Sequence, residues 1–458
     1  MRMKRIFKIF VPFFVALATL SSACGVFALT YTPEIEPESK YVYMVYLGDN
    51  GDTVVYNKNS TEKTYPASLT KIMTAIVLLD KVGYSNLEST KVTVPQIVFD
   101  DFYDNDGKYL YPSTADFQVG EEVDLKDLAY GMLLQSACEA ANIIAYQVGG
   151  GDIGSFIDMM NQKAQEIGAV NTHFVNPHGL YSDNQYTTAY DMYLITKYAM
   201  KLDGFMEIAG SPAYDLKPTN VHSESRMVTH TNYMLSAYLG GDEYYYEYAK
   251  GIKTGTLDEA GRCLITTASK DGYNYLIVSL GGPLADEEGN EYYSNCLDHK
   301  ALYEWAFDNL SLQQIVGANE EKTEFSVRNS SGNDYVITVS QTSYYMLLPN
   351  DFDKSKIEYI LPDTSKKINA PIDKGEVLGE MEIKIAGESI TKINLTANQD
   401  VKLSSIKYAF WLFYKAVTST AFKVLLVLLV IALAIYIYLF KKANNKKREK
   451  AKQRRINK

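Results

Sequence analysis

In "YPASLTKIMTAIVLLD", residues 65–80, a serine and a lysine stand three positions apart at the head of an apolar run. Leu69, Ile72, Met73, Ile76 and Leu79 recur at helical spacing, and Ala75, Val77 and Leu78 fill most of the rest, so the segment reads as a buried helix. Lys71 is its only charge before Asp80. Positions i and i+3 share a helix face, which brings Lys71 within reach of Ser68. A serine hydroxyl is a weak nucleophile until an adjacent base takes its proton. Burial lowers a lysine pKa, so a neutral amine can be that base. The same pair also fits an ordinary helix start, with Ser68 as the cap and Lys71 stretched outward.

Two more stretches carry compatible chemistry. "GIKTGT" puts Lys253, Thr254 and Gly255 on an expected strand. Lys253 can anchor a substrate carboxylate, Thr254 can donate to it, and Gly255 lets a substrate backbone lie close. "LLQSACEAANIIA" places Ser136 just before another helix. Ser136 with Glu139 also spells a capping box, and a proton relay needs only the hydroxyl. Asn142 lies one helical turn beyond Cys138 and could offer an amide from that face, or simply pack. His178, in "NPHGL", reads as a loop residue on the rim of the site. The five histidines are scattered, so no metal or cofactor is expected.

The elements that must position these residues lie between two apolar ends. Residues 1–28 carry Arg2, Lys4, Arg5 and Lys8, then an apolar stretch and small residues, the layout of a secretory signal ending at Ala28. A lipid-modified Cys24 is the alternative. Residues 424–440, "VLLVLLVIALAIYIYLF", hold no charge, and the expected membrane helix is 419–440. Residues 441–458 hold ten basic side chains against Glu449, and positive flanks stay in the cytoplasm. The chain therefore reads as a single-pass cell-membrane protein with its bulk outside the cytoplasm. Residues 404–418 bring aromatics to the membrane interface.

The net charge of -10 conceals an asymmetry. The signal carries +4 and the tail +9, so residues 29–440 carry -23. Such a body offers no electrostatic footprint for nucleic acid. Beyond the signal only Cys138, Cys263 and Cys296 remain, which is not a disulfide framework.

"YVYMVYLGDNGDTVVYNKN" reads as a hairpin leading into the Ser68 helix. Residues 125–200 are mainly helical, and "YEYAKGIKTGT", "GRCLITTAS" and "YNYLIVSLGG" form an antiparallel meander before a final helix, "DHKALYEWAFDNL". The fold class is α+β, an antiparallel sheet completed by both ends of residues 29–318 with a helical subdomain between. Residues 319–403 alternate in short runs with Gly, Pro and Asn turns, a small all-β domain.

The ordered set S-x-x-K, serine, K-T-G resembles the signature of penicillin-binding proteins and class A β-lactamases. From about residue 41 to 401 the chain resembles one family closely, the D-alanyl-D-alanine carboxypeptidases among low-molecular-mass penicillin-binding proteins. "YPASLTKIMTA", "FVNPHGLYSDNQYTTAYDM", "KGIKTGTLDEAGRCLITTA" and "INAPIDKGEVLGEMEI" carry the resemblance, as does the order of domains. It implies a β-lactamase/transpeptidase-like fold. It also implies that Ser68, deprotonated by Lys71, attacks the carbonyl before the terminal D-alanine of a peptidoglycan stem peptide. Backbone N–H groups of Ser68 and Thr256 would form the oxyanion hole, Ser136 would pass a proton to the departing amine, and Lys253 and Thr254 would hold the carboxylate. β-Lactams would acylate the same serine. One position departs: Cys138 stands where the family has asparagine. A β-lactamase would need a carboxylate base in an E-x-x-L-N loop that the chain lacks. A D,D-transpeptidase, and a decayed wall-binding protein with Cys138 as its mark, remain the other readings.

Overall fold

The computed structural model describes residues 31, 33–49, 51–103 and 106–456, so the expected signal and Cys24 lie outside it. The chain forms two compact units that divide after Leu310.

In the first unit, strands β1 (Tyr41–Tyr46) and β2 (Thr53–Lys58) form the expected hairpin. Helix α1 (Thr70–Val82) follows, and its residues from Thr70 to Leu79 are all buried. Two short strands, β3 (Lys91–Thr93) and β4 (Glu122–Asp124), pair antiparallel beside the helical subdomain. That subdomain contains α2 (Leu125–Leu134), α3 (Cys138–Val148), α4 (Ile153–Ile167), α5 (Ala189–Ala199) and α6 (Phe205–Ala209). Its starts are written in the sequence: Asp124 caps α2, Asp152 caps α4 and Thr188 caps α5, each through its side-chain oxygen.

A second small pair, β5 (Ala213–Leu216) with β6 (Arg226–Thr229), and α7 (Ala237–Tyr244) lead back to the sheet. The meander is β7 (Ala249–Leu257), β8 (Gly261–Lys270) and β9 (Tyr273–Gly282), followed by α8 (Ser294–Asn309). The sheet order is β2-β1-β9-β8-β7, so the chain's early hairpin completes a sheet built mostly from its late strands. Both faces are covered, and alternation along the strands shows how. Ile265 and Val278 join the core that includes α1, α2 and α3. Their neighbours Thr266 and Ser279 turn to the other face and bond His299 and Tyr303 of α8.

The second unit opens with β10 (Leu310–Val316), which pairs with β13 (Tyr344–Pro349). That pairing places the division of units earlier than the expected 318. The strand reads "LSLQQIV", too short and too polar to assign to either side by periodicity. A six-stranded sheet combines β11 (Glu321–Arg328), β12 (Tyr335–Ser340), β14 (Ile357–Ile360), β15 (Ile368–Asn369), β16 (Val377–Ile385) and β17 (Glu388–Ala397). Phe325, Val327, Val336 and Ala397 belong to its core. Helix α9 (Ser405–Thr418) carries the expected aromatics, with Phe410, Phe413 and Tyr414 exposed. Helix α10 (Thr420–Ile456) contains a stretch, Thr420–Gln453, long and apolar enough to cross a membrane.

Candidate active site

Ser68 lies in a single 3-10 turn, Ala67–Leu69, directly ahead of α1. It does not cap the helix: the position before Thr70 is Leu69, with no side-chain cap. The turn is fixed by close packing. Ala67 has φ 46°, and a Cβ on Gly179 would fall 2.0 Å from the Ala67 carbonyl oxygen, so only glycine fits there. A Cβ on Gly255 would meet the Ser68 amide nitrogen at 3.1 Å, which measures how closely β7 runs past the serine.

Lys71 is fully buried in the first turn of α1. Its Nζ lies 3.0 Å from Ser68 Oγ, 2.6 Å from the His178 carbonyl oxygen and 3.5 Å from Cys138 Sγ. Burial pushes its pKa below the ordinary lysine range, with Cys138 and Glu139 opposing the shift. A neutral amine has two N–H groups and one lone pair. The carbonyl can only accept, and the sulfur can take the second N–H. The lone pair is then left for the Ser68 hydroxyl.

Ser136 and Cys138 flank Ala137, the residue that precedes α3. Ser136 is held at φ 62°, and its buried Oγ has no hydrogen-bond partner among the described residues. Strain and an unpaired buried hydroxyl together mark a position kept for something other than stability. The capping-box alternative fails here. Ser136 lies outside the cap position, and the Glu139 carboxylate turns away to accept from the amides of Ala115 and Phe117 at 2.7 and 3.4 Å. Asn142 packs: its Nδ2 donates to the Val98 carbonyl at 2.8 Å.

Lys253, Thr254, Gly255 and Thr256 lie on β7, paired with Ile265, Leu264, Cys263 and Arg262 of β8. Lys253 is fully buried and donates to the Thr254 carbonyl at 3.0 Å. Burial, reinforced by the charge of Lys71, holds its pKa well below the usual lysine value. The Thr254 hydroxyl bonds that of Thr231. Thr231 and the His178 carbonyl are contacts that the sequence reading missed. A backbone carbonyl leaves no mark in side-chain identity, and the expectation that His178 sits on the rim is corrected, since it is 2% exposed. Its imidazole lies 3.6 Å from Asp101, and burial lowers its pKa.

Fold and site together define a serine acyltransferase with the architecture of a low-molecular-mass penicillin-binding protein. Comparison with known proteins agrees. A family profile described as D-alanyl-D-alanine carboxypeptidase matches residues 31–283. One described as penicillin-binding protein 5, C-terminal domain, matches residues 311–403. The chain belongs to the D-alanyl-D-alanine carboxypeptidase family. It is 28% identical over 373 residues to D-alanyl-D-alanine carboxypeptidase DacF of Bacillus subtilis, covering 81% of this chain and 88% of the relative. It is 35% identical over 237 residues to a D-alanyl-D-alanine carboxypeptidase of Streptomyces strain K15, covering 50% of this chain and 76% of the relative. The solved penicillin-binding protein 5 of Haemophilus influenzae shares the fold, with TM-score 0.57 at 23% identity over 81% of this chain and 99% of that one. The Streptomyces K15 DD-transpeptidase matches with TM-score 0.52 at 28% identity over 60% of this chain and all of that one. Its solved variants alter a serine and a cysteine two positions later, the spacing of Ser136 and Cys138 here.

Proposed function

We propose that this protein removes the terminal D-alanine from peptidoglycan stem peptides through an acyl-enzyme on Ser68. The observation that carries the proposal is the Lys71 amine, buried and 3.0 Å from the Ser68 hydroxyl. Neutral Lys71 takes the Ser68 proton as the oxygen attacks the carbonyl before the terminal D-alanine. The tetrahedral oxyanion is met by the backbone N–H groups of Ser68 and Thr256, a role supported by the approach of β7 to the turn. Ser136, whose hydroxyl has no hydrogen-bond partner among the described residues, relays a proton to the departing amine. Lys253 and Thr254 hold the terminal carboxylate, and Gly255 admits the peptide backbone. Cys138 lines the pocket beside Lys71. Water then frees the acyl group, with the Lys71 amine again as base. Every proton movement is accounted for by these side chains, so no cofactor is invoked.

β-Lactams acylate the same serine in this scheme. The protein acts at the cell membrane, its first unit outside the cytoplasm and α10 as a single anchor. The apolar stretch of that helix and the basic residues after it support that orientation. The test is product analysis on a pentapeptide ending in D-Ala-D-Ala. Free D-alanine and the hydrolysed tetrapeptide are expected in equal amounts; D-alanine released only as the tetrapeptide becomes joined to an added amine, or no turnover at all, would overturn the proposal.

A further inference from the structure

Lys253 and Thr254 follow an irregularity in their strand. In the pairing of β7 with β8, Lys250 faces Thr267 and Lys253 faces Ile265, so Gly251 and Ile252 together stand opposite Thr266 alone. That is a β-bulge, which re-aims the side chains beside it and leaves backbone groups without ladder partners. The carbonyls of both bulge residues are met by side chains from outside the sheet. Asn232 Nδ2 donates to the Gly251 carbonyl at 2.9 Å, and His230 Nε2 donates to that of Ile252 at 3.3 Å.

The segment that supplies them is fixed at several points. The Asn232 amide donates to His230 Nδ1 at 2.9 Å, so that nitrogen carries no proton and Nε2 carries it. Burial and the charge of Lys253 push the His230 pKa down to about 3, which keeps the ring in this neutral form. His230 and Asn232 are buried, and Thr231 between them is exposed. The His230 amide donates to the Pro212 carbonyl at 2.8 Å, and the Thr231 amide to that of Leu134 at 3.1 Å. Leu134 ends α2, two positions before Ser136. One short segment therefore joins the approach to Ser136 with the strand that carries Lys253.

The Thr231 hydroxyl completes the link, through its bond to that of Thr254. A Thr254 hydroxyl that donates to a substrate carboxylate has to accept from Thr231, so the Thr231 proton fixes where the Thr254 proton points. We propose that residues 230–232 are a positioning strap for the carboxylate clamp, with His230 as its buried anchor. The His230 ring holds the bulge of β7, so that Lys253 and Thr254 keep a fixed distance from Ser136. Thr231 turns the Thr254 hydroxyl towards the carboxylate. None of the three makes or breaks a bond in the reaction; they act through Lys253 and Thr254.

The proposal rests on the reading of Lys253 and Thr254 as the clamp, and its test separates the two. The full chain is given two N-acetyl-D-alanyl thioesters, one of thioglycolate and one of ethanethiol. With either, the C–S bond breaks as Ser68 is acylated, and the thiol leaves with the serine proton. The acyl-enzyme is the same, but only thioglycolate carries a carboxylate where the terminal D-alanine has one. The readout is the ratio of the two kcat/KM values, expected to favour thioglycolate by about tenfold in the native chain. His230→Asn keeps an acceptor for the Asn232 amide and loses the reach to Ile252. It should cut the ratio about fivefold, through the KM of the thioglycolate ester. His230→Gln, whose amide N–H reaches further, should restore it. Thr231→Val, at an exposed position, tests the strap without disturbing the core and should lower the ratio about threefold. An unchanged ratio in either His230→Asn or Thr231→Val, equal losses on both thioesters by folded protein, or no recovery with His230→Gln would overturn the proposal. A ratio near one in the native chain would strike the clamp reading itself, and the strap with it. Failure of D-alanine release from the pentapeptide would strike the carboxypeptidase reading alone.

Discussion

The Sγ of Cys138, two residues beyond Ser136, lies 3.5 Å from the Nζ of Lys71. A thiol is a weak acceptor and offers no N–H₂ to a substrate carbonyl. Cys138→Asn is therefore expected to speed acylation of Ser68 by about ten- to a hundredfold, the effect of about 1–3 kcal/mol at the transition state. Stopped-flow acylation with a chromogenic β-lactam measures it. An unchanged or slower rate would mean that the site is tuned around the sulfur.

Ser136 gives a sharper separation of activity from stability. Its buried Oγ bonds nothing among the described residues, so Ser136→Ala removes no structural contact. Unfolding free energy should change by less than about 0.5 kcal/mol, while D-alanine release falls by about 10²–10⁴-fold as the proton relay is lost. A large loss of stability, or full activity, would assign the hydroxyl another role.

The two buried lysines set the pH behaviour. Lys71 has a folded-state pKa below its unfolded value of about 10.4. Between those values the unfolded chain binds more protons, so stability rises with pH across that window, and the penalty for burying the ammonium is complete below the folded pKa. Acylation needs the neutral amine, so its rate should rise with pH through the lowered Lys71 pKa and then level off. Lys253→Met removes the other buried charge and should stabilise the first unit by about 1–3 kcal/mol while abolishing peptide binding. Denaturant unfolding at pH 7 decides the first half; a destabilised variant would show that Lys253 is structurally paired.

Much of this was legible in the sequence because side-chain identity carried it. The apolar spacing from Leu69 to Leu79 marked α1, alternation marked the hairpin and meander, and S-x-x-K with K-T-G named residues that the fold brings together. Backbone-level features were not legible. The His178 carbonyl on Lys71, the 3-10 turn that frees Ser68 from capping, and the fit of Gly179 against Ala67 depend on close tertiary packing. Glu139 was visible only as half of a capping box, because nothing local says that its carboxylate will meet residues 115 and 117.

Ending the chain at Lys402 removes α9 and α10 and leaves the six-stranded sheet whole. The truncated protein should appear in the soluble secreted fraction and still be labelled by fluorescent penicillin. Retention in the membrane fraction would place the anchor elsewhere, with lipid on Cys24 the first candidate.

The most direct measurement is peptide mapping by mass spectrometry after trapping the chain with penicillin or with a D-Ala-D-Ala pentapeptide. The adduct is expected on Ser68, with one D-alanine released per acyl group from the peptide, and Ser68→Ala should carry none. An adduct on Ser136 or Cys138, or undiminished labelling of Ser68→Ala, would contradict the assignment of Ser68 as the nucleophile.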